Sequence, residues 1–185
     1  MVLPKLFAIA VVTIIAIFSA GGSSWGRGPL TGETGQTVNG GSLNSHFLLA
    51  SAYSLSAEEE RAVKLLNADR AAHGLEPLAV NPALAAVAGR HAQDMIDHKF
   101  FSHTNPAGES PKDRVSRSGA SFGYVGENLA MDATVEAAEA ALMRSLAHRA
   151  NILSPRYTEV GIGVREGSDG EVYMVQVFIG PGSAL

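Results

Sequence analysis

Apolar residues keep a helical spacing from Ser56 to Ser145 and then change once to strand spacing, from Val160 onward. That order removes most architectures. A doubly wound sheet needs strands that alternate with helices, so that each parallel pair has its crossover, and too few such units are present. Helices first and strands mainly last predict an α+β fold.

The element boundaries are written in the caps. Ser56 stands three residues before Glu59, the spacing of a capping box, and opens a first helix whose faces carry Ala62, Val63, Leu65, Leu66, Asp69 and Arg70. Gly74, after His73, supplies its left-handed stop. Asn81 and Pro82 give an N-cap and a first-turn proline for a second helix running to about His98, with Leu84, Val87, Ala88, His91 and Met95 recurring on one face. Ser110-Pro111 starts a short third helix that Gly119 closes. VEAAEAALMRS, from Val135 to Ser145, makes a fourth, with Glu136 and Glu139 predicted to be exposed. Val160 to Arg165 and Glu171 to Ile179 are rich in β-branched and aromatic residues around the turn residues 166–170, so they read as a hairpin. Tyr124-Val125 is a candidate further strand.

Upstream of this region, Leu6 to Phe18 is an apolar run of about 13 residues behind Lys5, shorter than the roughly 20 needed to span a bilayer. Small residues follow at Ser19 to Gly22. The expectation for residues 1–22 is an export signal, or an N-terminal anchor if it is not cleaved. Residues 23–55 read as a flexible tether rich in Gly, Ser and Thr, and residues 56–182 as the folded domain. The tether contains a literal G-x-S-x-G at Gly22 to Gly26, but without the strand and helix that a nucleophile elbow requires. Export implies an oxidising compartment, yet the chain has no cysteine, so the domain has no disulfides to rely on. Fourteen basic against eighteen acidic residues leave a formal charge of −4, which excludes the basic surface of an ordinary nucleic-acid binder. The expected location is secreted, periplasmic or otherwise extracellular, with membrane contact only through an uncleaved N-terminal segment.

Candidate chemistry lies on three separate segments. His103 sits in FFSHTNP, just beyond the second helix, where Phe100 and Phe101 can anchor the turn. Glu127 is a lone carboxylate in YVGENLA, and such a group is costly to bury without a partner. His148 begins HRANIL, a helical turn that puts His148, Asn151 and Ile152 on one side. His91 reads as a core histidine and His73 as a surface helix cap. Arg144, Arg149 and Arg156 read as solvated, or paired with Glu136, Glu139 and Glu159. Gly161 and Gly163 read as sites of tight turns and close packing.

Several ordered motifs then resemble one family. LLNADR with GLEPL (65–70 and 74–78), FSH (101–103), GENLA (126–130), HRANIL (148–153) and YTEVGIG (157–163) are similar to the CAP superfamily of cysteine-rich secretory, antigen 5 and pathogenesis-related 1 proteins, in its bacterial SCP-like branch. The resemblance implies a three-layer α-β-α sandwich with a small, mainly antiparallel sheet. It also implies a cleft of two histidines and two acidic residues able to bind a divalent metal such as zinc. His103, Glu127 and His148 match three of these positions. The fourth, an acidic residue three positions after a tryptophan, falls on Ser145, with Leu142 in the tryptophan's place. A His-His-Glu set is chemically able to hold zinc. The expected metal ligands are therefore His103, His148 and Glu127, and the expected binding cleft adds Asn128 and Ser145. Glu127 and His148 are the candidates for catalysis.

The leading expectation is a non-catalytic ligand-binding or interaction module whose partner is a small ligand, a lipid or an envelope component. The alternatives are a metal-assisted, peptidase-like hydrolase of extracellular polymers and a lipid or sterol binder. The last lacks a long apolar surface in residues 107–121.

Overall fold

The structure is a computed structural model and describes residues 53–181. The expected leader, and the tether up to residue 52, lie outside the described residues. The elements are α1 (Ala57–Ala72), β1 (Ala79–Val80), α2 (Pro82–Asp97), α3 (Pro111–Arg117), β2 (Tyr124–Asp132), α4 (Val135–Arg144), α5 (Leu146–Ile152), β3 (Glu159–Glu166) and β4 (Val172–Gly180). No helix among the described residues is long and apolar enough to cross a membrane.

The four strands form one sheet in the order β1-β3-β4-β2, antiparallel except for the short parallel pair β1-β3. The expected α+β sandwich is present. The hairpin forms as read, and Tyr124-Val125 opens a full nine-residue strand. β1 gave no sequence signal, because two residues are too few to show a period.

Strand alternation accounts for the layers. On β4, Met174 and Phe178 point into one core with Val160, Ile162 and Val164 of β3, against Ala62 and Leu66 of α1, Ala138 and Leu142 of α4 and Ile152 of α5. Val175, Val177 and Ile179 point the other way, onto Leu84, Val87, Ala88, Ala92 and Met95 of α2 and Val115 of α3. The sheet is thus buried on both faces, with α2 and α3 on one side and α1, α4 and α5 on the other.

On β3 two of the residues facing α2 are glycines. A Cβ on Gly161 would meet Ala85 N at 2.2 Å, and one on Gly163 would meet Gly89 N at 2.1 Å. Backbone therefore lies almost on backbone, which is the close packing expected of these glycines.

The predicted caps also form. Ser56 and Glu59 complete their capping box, Asn81 caps α2 through its side chain, and Gly74 and Gly119 take the left-handed conformation, with φ of 70° and 79°. Glu59 does more than cap. It is buried, and its Oε1 accepts from Tyr53 Oη at 2.8 Å and from Arg165 Nη1 at 2.9 Å. Arg144 and Arg156 are exposed, as read. Glu136 takes Arg61, Glu159 accepts from Asn81, Arg149 donates to His73, and Arg156 lies over the Tyr124 ring.

Gly163→Ala is expected to destabilise the domain by at least the roughly 1–3 kcal/mol typical of overpacking, because the clash is with backbone that cannot rotate away. Gly89→Ala should cost less, since its added Cβ meets mainly the tip of Arg165 at 2.5 Å. Urea unfolding of the two variants, with unchanged slopes, measures the difference.

Candidate functional site

β2 is an edge strand, and its alternation sends neighbouring residues into different layers. Leu129 belongs to the α2 core, and Glu127, of the same parity, reaches Arg114 of α3. Asn128 turns to the opposite layer, where α5 lies. The site is built where the two helical layers meet around this edge.

Glu127 is 6% exposed, and both of its oxygens are engaged. His103 Nδ1–H donates to Oε1 at 2.9 Å, and Arg114 Nη2 donates to Oε2 at 2.8 Å. The same guanidinium ties the loop down by donating to the His103 carbonyl at 2.9 Å and the Glu109 carbonyl at 2.8 Å. Phe100 and Phe101 pack against the α2 core as expected of turn anchors.

His148, on α5, is half-buried. Its pKa is pushed below the ordinary imidazole value, first by burial and then by neighbouring His103, so the two rings lie within electrostatic reach of each other. Among the described residues, no hydrogen bond engages the His148 ring or His103 Nε2. Leu146, two residues before His148, is 85% exposed.

Asn128 is fully buried and works from beneath instead of lining the surface. Its Nδ2 donates to the His148 carbonyl at 3.1 Å and to Gln176 Oε1 at 3.0 Å, while its Oδ1 accepts from Asn151 Nδ2 at 2.9 Å. Asn151 also reaches the Glu127 carbonyl, at 3.3 Å. Gln176 Nε2 in turn donates to Glu139 Oε2 at 2.6 Å. One buried polar chain therefore runs from α4 through β4 and β2 to α5. Ser145 joins α4 to α5 and makes no side-chain cap bond.

Glu139 corrects an expectation. It is 3% exposed, where the Ala-rich helix had suggested a solvated face, because Gln176 interrupts the apolar side of β4 directly opposite. With Oε1 unpartnered, burial, helped by the negative charge of Asp69, pushes its pKa up to about 7.

The residues do not fit the implied metal as they are arranged. Among the described residues, no group of three or more His, Cys, Asp or Glu side chains is placed to hold an ion. The reason is local. Glu127 is spent on His103 and Arg114, and His148 comes from the opposite layer. Arg114 is the functional residue that sequence reasoning missed, since nothing marks one arginine of a short helix as buried. Gln176, a lone amide inside VYMVQVFIG, carried a readable signal.

A small sheet flanked by helices on both faces, with His103 and His148 brought near its edge strand, has the frame of an SCP-type domain. An extracellular SCP-domain protein from Bacillus anthracis shares it at 32% identity and a TM-score of 0.62, over 66% of this chain and 40% of that one. An outer surface protein from Borrelia burgdorferi shares the fold at 19% identity and a TM-score of 0.64, over 69% and 96%. The profile of the cysteine-rich secretory protein family matches residues 63–178, and the chain belongs to this CAP family. YkwD of Bacillus subtilis is 40% identical over 128 residues, which are 69% of this chain and 49% of YkwD. The chain thus spans about half the length of that relative.

Two outcomes follow from the site's electrostatics. Glu139 has a folded pKa of about 7 against an ordinary 4.5, so the folded state holds its proton longer than the unfolded one. Stability should fall by up to about 3 kcal/mol as pH rises from 4.5 to about 7 and level off above that. Glu139→Gln should remove this slope in urea titrations across that range. Arg114→Ala, which strands a buried carboxylate, should cost about 3–5 kcal/mol.

Proposed function

We propose that the chain is an exported, non-catalytic CAP module that binds a small ligand or envelope component in the groove between His103 and His148. The observation that carries this reading is the internal neutralisation of Glu127. With the carboxylate's charge met by Arg114, the groove offers hydrogen-bonding imidazoles in place of an open anionic ligand set. Ser145 lies on the linker leading to this groove, and Leu146 adds an apolar contact. The ligand would present a polar group to the rings beside an apolar portion.

A second reading draws on the Glu127–His103 pair. A buried carboxylate that accepts from Nδ1 orients the ring and leaves Nε2 as a base, an arrangement shared with hydrolases. That reading keeps a peptidase-like hydrolase, working through these residues without a metal, as the alternative.

Turnover separates the two. The full chain, with and without added zinc, is expected to give no steady release of product from peptide, ester or glycan substrates. Titration with solubilised envelope lipid or soluble glycan fragments should shift the His103 and His148 ring resonances to saturation. Steady turnover that disappears in His103→Ala would falsify the binding-module reading and establish the hydrolase.

A further inference from the structure

Arg114 belongs to a seven-residue helix, yet its guanidinium gathers oxygens from three segments. Nη2 donates to Glu127 Oε2 of β2 at 2.8 Å and to the His103 carbonyl at 2.9 Å, and Nη1 donates to the Glu109 carbonyl at 2.8 Å. Both Arg114 and Glu127 are buried. The guanidinium thus sits among two carbonyls and a carboxylate, and its charge balances the one negative charge present. Carbonyl and carboxylate oxygens are the donors that a hard divalent cation takes, calcium or manganese in preference to zinc.

The imidazoles do not belong to this oxygen set. His103 turns Nδ1 towards Glu127 Oε1 at 2.9 Å, and the two nitrogens of one ring point in divergent directions. An ion held at His103 Nε2 would therefore lie on the far side of the ring from Glu127. The carboxylate serves as an anchor for the ring and as the counter-charge of Arg114.

The guanidinium also has a mechanical effect. Residues 98–110 join α2 to α3 and carry His103. Towards α2 this loop is tied by His91 Nε2–H, which donates to the Ser102 carbonyl at 3.0 Å, and by Asn105 Nδ2, which donates to Asp94 at 3.1 Å. Towards β2 it is tied through Glu127, by the His103 ring and by Arg114. With the guanidinium removed, a buried carboxylate would face two carbonyl oxygens with no positive charge between them.

We propose that Arg114 is a built-in cation, which fills an oxygen-lined cation site between the His103 loop and β2, positions His103 there and makes the domain's stability independent of divalent metals. This goes beyond the ligand-binding reading and does not depend on it, since the loop needs its anchor whatever the groove takes up.

The test compares thermal melts of the full chain, of Arg114→Met and of the double variant Arg114→Met/Glu127→Gln, each in chelator or in millimolar calcium, manganese or zinc. The native chain should melt within about 1 °C of one temperature in all four conditions. Arg114→Met keeps the apolar stem and loses the charge. It should melt roughly 10 °C lower in chelator, recover about half of that loss with calcium or manganese, and recover less with zinc. Glu127→Gln removes the stranded charge, so the double variant should melt above Arg114→Met in chelator and no longer respond to metal. A packing role alone would lower the melting temperature without creating a response to cations. If Arg114→Met does not fold in chelator, recovery of its circular dichroism on refolding with calcium or manganese supports the proposal in the same way. The proposal is overturned by a native chain that any of the three cations stabilises by several degrees, by an Arg114→Met chain that none of them stabilises or refolds, or by a response that survives Glu127→Gln. Zinc outperforming calcium and manganese on Arg114→Met also overturns it, because the ligands would then include imidazole. Ligand titration of the groove enters none of these comparisons, so the two readings fail separately.

Discussion

The contact on which the fold depends is the seating of α2 on the glycines of β3. Gly161 and Gly163 let helix backbone approach strand backbone within the space a Cβ would fill, and no side chain separates them. This brings Leu84, Val87, Ala88 and Met95 of α2 down onto Val175, Val177 and Ile179 of β4. It also sets the height of the loop that leaves the end of α2, and so the position of His103. A methyl group at Gly163 would lift both the core and the loop. In a domain without disulfides, this packing replaces a covalent staple.

The site inherits its character from an edge. Because successive residues of β2 face different layers, Glu127 answers to α3 while Asn128 answers to α5. Two helical layers that never share a core are thereby coupled through one peptide unit. Asn128, Asn151 and Gln176 make the joint from neutral amides, which need no counter-charge when buried. Glu139 closes the chain at its far end and is the one member able to change its charge near neutrality.

Much of the fold was legible because caps and periods are local. Ser56 with Glu59, Asn81 with Pro82, and Gly74 each fix a boundary through bonds within a few residues, and each forms as read. The site was legible only in part. His103, Glu127 and His148 were found by motif, and His103 and Glu127 do meet. Their mutual arrangement depends on a sheet edge and on Arg114, both products of tertiary packing. Glu139 failed for the same reason. On an Ala-rich helix its spacing suits a solvated face, and only the register of Gln176 across the core shows otherwise.

The cluster of Tyr53, Glu59 and Arg165 has a mechanical meaning. A pull on the chain ahead of Tyr53 passes along the backbone towards α1, and the Tyr53 hydroxyl shares part of it with a buried carboxylate that an arginine of β3 also holds. Arg165 lies in register with Tyr173 of β4, which is opposite Met131 of β2. That row is four residues from Glu127, about 13 Å along the strand. Tension on the chain is therefore borne at one end of the sheet, while the imidazoles remain outside the line of force.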